Sequence, residues 1–215
     1  MPHNEANQDR RPLLTRHHRA LDPDPDPPPT PPMTDAPTAA DELPFDPQID
    51  LPEDARRGLV GLLNQALAET TDLYLLTKQA HWNVKGENFY QVHELYDHVS
   101  GELPEYADRL AERAVLLGGY ARGSARMTVA ASRLDPFPGY RDDDRSFLRA
   151  MTQRWATYAE AIREASRQAD SEYDDPGTSD LFDAITHLAD RGRWMIEAQL
   201  QRYDGGLPDD GADPA

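Results

Sequence analysis

Five side chains in this sequence are of types and spacings that could hold a metal ion: His81, His93, Asp97, Asp108 and Glu112. Imidazole mixed with carboxylate suits a hard-to-borderline transition metal such as iron. The chain has no cysteine, so no thiolate competes for the role. His93 with Asp97, and Asp108 with Glu112, are each spaced i,i+4, which brings both members of a pair to one side of a helix. With His93 at zero and about 100° per residue, Asp97 falls at about 40°, Asp108 at about 60° and Glu112 at about 100°. All four share one face. His81 precedes them, across a break at Gly86.

The two pairs cannot meet within one chain. Asp108 lies fifteen residues beyond His93, roughly 22 Å along a helix axis at 1.5 Å per residue. A second copy of the helix, antiparallel across a two-fold axis, removes the difficulty. Asp108 and Glu112 of one copy then face His93 and Asp97 of the other. The axis crosses near Gly101 and Glu102, where glycine permits close approach. Such a contact is self-complementary and yields two identical sites per dimer.

The run His81-Trp82-Asn83-Val84-Lys85-Gly86-Glu87-Asn88-Phe89-Tyr90-Gln91-Val92-His93, followed by Asp108 and Glu112, resembles the mini-ferritins called DNA-binding proteins from starved cells (Dps). The resemblance extends over roughly residues 52–203. It implies an all-α, ferritin-like four-helix bundle, with a short extra helix in the long crossover between helices 2 and 3. It also implies a hollow shell of twelve subunits and ferroxidase activity, with peroxide as the oxidant. By position, His81, His93 and Asp97 match the iron ligands of one subunit, and Asp108 and Glu112 those of its neighbour. Trp82 matches the aromatic residue beside the iron.

Composition bounds the rest. Thirteen of the 19 prolines fall in the first 52 residues, where apolar periodicity is scarce. Such a segment cannot bury enough surface to fold alone. Residues 1–51 are therefore expected to form an extended or disordered arm, 52–204 the folded domain and 205–215 a mobile acidic tail. Arg10, Arg11, Arg16 and Arg19 suggest DNA contact, and a DNA-compacting protein is the alternative function. Yet residues 1–50 hold four Arg against ten Asp plus Glu, and phosphate binding needs clustered net positive charge. Net charge is −17, so twelve copies would carry 12 × −17 = −204, which attracts cations and repels nucleic acid. His3, His17 and His18 read as solvated side chains. The absence of cysteine, of an apolar leader and of a membrane-length apolar run point to a cytoplasmic protein.

Apolar steps of three and four residues predict helices over about 52–83, 88–117, 142–169 and 179–203. Pro104 should kink the second. Residues 127–134 could supply the extra helix. Trp155 and Tyr158 read as core, Gly192 as a close helix contact, His98 as a polar residue without a matching ligand partner and 170–177 as an acidic link. No histidine carries the Glu-x-x-His spacing of a di-iron centre inside a bundle.

Overall fold

The computed structural model describes residues 43–137, 139 and 143–204. Six helices follow in order: α1 (Glu53–Asn83), α2 (Phe89–Ser100), α3 (Leu103–Leu116), α4 (Ala125–Ala131), α5 (Asp144–Ser171) and α6 (Pro176–Asp204). There is no strand among the described residues. α1, the α2–α3 pair, α5 and α6 are the four rods of a bundle, and the short α4 lies in the crossover against α1. Among the described residues no helix is long and apolar enough to cross a membrane.

α1 runs for 31 residues because its apolar stripe (Leu59, Leu63, Ala66, Leu73 and Ala80) is uninterrupted, and all five are buried. Two threonines in that stripe handle polar groups in the core. Thr70 and Thr77 donate back to the carbonyls of Ala66 and Leu73, each at 2.7 Å. Tyr158 Oη lies 2.7 Å from Thr70 Oγ1, and Trp155 Nε1 donates to Thr77 Oγ1 at 3.2 Å. Each aromatic body fills the core while its polar tip finds a partner. Both are fully buried core residues, as their places on the stripe predicted. Gly192 is a close contact for the same reason: any Cβ there would run into the Trp155 ring.

The second rod differs from the single helix expected over 88–117. It divides at Gly101 and Glu102. Pro104, one residue into α3, has no N–H to donate, and its ring obstructs the Ser100 carbonyl. Gly101 (φ −62°, ψ −31°) and Glu102 (φ −89°, ψ −16°) nevertheless stay right-handed helical. The ladder is interrupted, but the residues beyond it continue close to the original helical phase.

Other boundaries shift by a turn or less. The extra helix begins at Ala125 rather than Met127, because Ser124 caps it by accepting from the Met127 N–H. α5 begins at Asp144, capped by Asp143, which accepts from Ser146 N at 2.7 Å. α6 starts at Pro176 rather than Ser179. Asp175, expected in a solvated link, is instead buried and accepts from Gly177 N at 3.1 Å and from Thr178 Oγ1.

Residues 43–51, assigned by composition to the arm, lie against the bundle. Phe45 N donates to Gly118 O at 3.2 Å. Leu43, Ile49 and Leu51 pack on the core. The buried Arg56 guanidinium donates to Leu117 O at 3.1 Å and to Asp46 Oδ1 at 3.2 Å. The remaining arm residues 1–42, with His3, His17, His18 and the four arginines, lie outside the described residues, as does the tail 205–215.

Candidate metal centre

Gly86 decides how the two histidine-bearing helices meet. Its φ is +130°, a backbone state that a side chain disfavours. A Cβ there would also strike the Asp144 carboxylate. Asp144, at the start of α5, accepts from both Asn88 N (3.0 Å) and Asn88 Nδ2 (3.1 Å) through Oδ2. The turn between α1 and α2 is thereby tied to a third helix.

The tied turn brings His81, in the last turn of α1, onto His93, in α2. Their rings stack with centroids 3.7 Å apart and an interplanar angle of 22°. Each Nδ1 points at the other residue's backbone carbonyl, His81 Nδ1 to His93 O at 2.8 Å and His93 Nδ1 to His81 O at 2.9 Å. A carbonyl only accepts, so both Nδ1 atoms carry hydrogen. In the neutral ring the lone pair then sits on Nε2, the state a metal requires. Phe89 flanks His93 at 5.2 Å, and Trp82 beside them is 62% exposed.

Asp97 follows His93 by one turn and is exposed. Its carboxylate accepts from Lys78 Nζ. That hydrogen bond holds the Asp97 carboxyl below the usual carboxylate range. Burial opposes it, and the Lys78 charge with the nearby His81 and His93 adds to the lowering. Lys78 was not apparent as a site residue. Its signal was position, three residues before His81 on the same helix.

Asp108 and Glu112 lie on α3, exposed to solvent. Arg109 and Arg113 follow them directly in the sequence. The structure assigns both arginines elsewhere. Arg109 sits over the Tyr106 ring at 5.0 Å. Arg113 reaches across to α6, where it donates to Asp175 Oδ2 at 2.8 Å, Oδ1 at 3.0 Å and Thr178 Oγ1 at 3.0 Å. Among the described residues neither acid has an ion pair or hydrogen bond from its own chain. His98, read as a polar residue, is exposed.

One chain therefore carries two half-sets. His81, His93 and Asp97 cluster at one end of the α2–α3 rod, and Asp108 with Glu112 stand beyond its break. Among the described residues of a single chain, no three His, Asp or Glu side chains converge on one metal position. The donor types fit iron.

Long helices in a four-rod bundle, with a short helix in the crossover, define a ferritin-like protein. A ferritin-like domain model matches residues 60–205. The DNA protection during starvation protein of Agrobacterium fabrum is 40% identical over 152 residues, covering 71% of this chain and 93% of that one. DNA protection during starvation protein 2 of Deinococcus radiodurans is 37% identical over 167 residues, covering 75% and 68%. Among solved structures, DpsA14 from Streptomyces coelicolor matches with a TM-score of 0.70 at 31% identity, covering 75% of this chain and 95% of its own. Mycobacterium smegmatis Dps, in a tetragonal form, matches with a TM-score of 0.70 at 27% identity, covering 76% and 99%. The chain belongs to the Dps family of ferritin-like proteins, the mini-ferritins.

Proposed function

We propose that this protein is a ferroxidase and iron-storage mini-ferritin whose oxidation site is completed between two copies of the chain. Fe²⁺ is the substrate. His81, His93 and Asp97 of one copy hold it together with Asp108 and Glu112 of a two-fold-related copy. The observation that carries the reading is the pairing of opposites: two Nε2 lone pairs held ready at one end of the rod, and two unpartnered carboxylates at the other. Carboxylate ligands favour Fe³⁺ over Fe²⁺, so they pull oxidation forward. With hydrogen peroxide as oxidant, two Fe²⁺ each give one electron, the O–O bond breaks, and two protons complete two waters. No hydroxyl radical is released in that balance. Twelve copies would form the shell in which ferric product accumulates, the protein's acidic charge drawing cations toward it.

Lys78 regulates the acid side of the site. It keeps Asp97 ionised and oriented while the iron position is empty, and it must yield as a cation arrives. Net charge opposes the alternative of DNA compaction, since −17 per chain repels phosphate.

The test is stopped-flow ferric absorbance after mixing purified protein and Fe²⁺ with peroxide. Oxidation should far exceed the buffer rate, and His93→Ala and Glu112→Gln should each abolish the excess. Wild-type oxidation at the buffer rate would overturn the assignment.

A further inference from the structure

Three side chains of α1, each about a turn from the next, pin the end of the crossover. Gln65 Nε2 donates to Ala131 O at 2.9 Å, Ser132 Oγ donates to Asp72 Oδ2 at 2.5 Å, and Arg133 Nε donates to Glu69 Oε1 at 2.6 Å. The Glu69 side chain is 2% exposed, that of Arg133 63%. A buried carboxylate needs a partner, and Arg133 Nε supplies it, helped by Gln65 Nε2 at 2.9 Å. The guanidinium keeps four more N–H groups on its two Nη atoms. Among the described residues these have no acceptor. The bonds on either side of Arg133 hold them in place.

Arg133 borders a cleft of about 450 Å³ between α1 and α5, within the size range of small-molecule sites. Ala66, Ala161 and Ala165 open its apolar floor. Thr70 with Tyr158, and Thr77 with Trp155, set the two helices antiparallel, so Glu69 and Glu160 stand at about the same level. Glu160 lines the cleft from α5 and is exposed. Among the described residues it has no ion pair or hydrogen bond. The charges around it are already used. Glu164 accepts from Arg167 and Gln168. In the adjoining recess toward α6, Arg163 holds Asp190 and Arg193 holds Glu197.

The cleft therefore offers one unpaired cationic edge and one unpaired carboxylate above a small apolar floor. A simple anion would meet Glu160, and a simple cation would meet Arg133. A molecule carrying both signs escapes both penalties. We propose that this cleft binds a small aliphatic zwitterion of the amino-acid class, its carboxylate on the Arg133 Nη edge, its ammonium at Glu160 and its aliphatic body on the alanine floor. A guanidinium can grip a carboxylate with two parallel bonds. Glu69 orients that fork beforehand, so less ordering remains to be done on binding. Arg133 belongs to the crossover and Glu160 to α5, so an occupant bridges two parts of the bundle and stabilises the fold. Neither residue belongs to the iron half-sets, and occupancy is read without iron.

The test is titration calorimetry on the metal-free full chain with four probes. L-leucine carries its two charges close together, and 6-aminohexanoate carries them at opposite ends. Hexanoate and hexylamine carry one charge each. A zwitterion should bind and raise the melting temperature, with both singly charged probes at least about tenfold weaker. Which zwitterion binds tighter reports the span between Arg133 and Glu160. Arg133→Lys keeps a cation for Glu69 but loses the fork, and Glu160→Gln loses the acid. Each should weaken binding about tenfold with helical circular dichroism retained. Ala161→Phe fills the floor and should abolish binding. No heat from either zwitterion at millimolar concentration would overturn the site. So would hexylamine or hexanoate binding as tightly as the zwitterions, or unchanged binding by folded Ala161→Phe or Glu160→Gln protein.

Discussion

Complementation between two inactive variants gives the sharpest test of a site split across chains. His93→Ala removes one Nε2 lone pair from a half-buried position, and Glu112→Gln removes one carboxylate from an exposed one. Homodimers of either variant have both sites damaged. In a mixed dimer the lesions fall together: one site has lost both groups and the other has lost neither. Equal random mixing makes half the dimers mixed, each with half its sites whole, so about one quarter of wild-type oxidation returns. If each site lay within one chain, every chain would still carry a lesion and nothing would return. The geometry favours the first outcome, because His93 and Glu112 lie roughly 28 Å apart along the rod. The assay is the initial rate of ferric absorbance after the two variants are unfolded together and refolded, against each refolded alone. Recovery absent in a mixture shown by mass spectrometry to contain mixed dimers would refute the shared site. Recovery close to full activity would refute the two-sites-per-dimer arithmetic.

Other consequences follow from particular contacts. Lys78→Met removes the main cause of the lowered Asp97 pKa; its carboxyl should titrate at higher pH by carbon-detected NMR, and the acid limb of Fe²⁺ binding should move up in pH with it. Burial raises the Asp175 pKa, but its bonds from Thr178 and Arg113 outweigh that and lower it. Its contribution to stability is therefore present above the ordinary carboxylate value and lost as pH falls through the lower folded value. Asp175→Ala should cost about 3 kcal/mol in urea unfolding at neutral pH by stranding Arg113, and less at pH low enough to protonate Asp175 in the wild type. Tyr158→Phe should cost about 1 kcal/mol by the same assay, since Thr70 keeps its bond to Ala66. Gly192→Ala should cost about 2 kcal/mol by forcing Trp155 off its place, visible as a shift in buried-tryptophan fluorescence.

Much of this protein is written in local spacing. Helix period depends only on backbone geometry, so the stripes of α1, α5 and α6 were legible residue by residue; the same period proposes the common face of His93, Asp97, Asp108 and Glu112 and the second copy that would complete it. Pro104 announced an interruption, although its position two residues past the actual break reflects which carbonyl its ring obstructs. What remained hidden depends on groups brought together from distant parts of the chain. Proline content marked 43–51 as part of an arm, but Leu43, Ile49 and Leu51 find apolar surface that only the assembled bundle provides. Asp144 grips the turn at Asn88 from 56 residues away, and His81 and His93 hold each other through their rings and backbone carbonyls. Arg113 adjoins Glu112 in the sequence, yet it pairs with Asp175, a buried carboxylate just before α6. The sequence determined which side chains could bind a metal and along which face. Tertiary packing decided which of them were left with free lone pairs, because each hydrogen bond made across the bundle removes one donor or acceptor from the surface and leaves the others for a ligand.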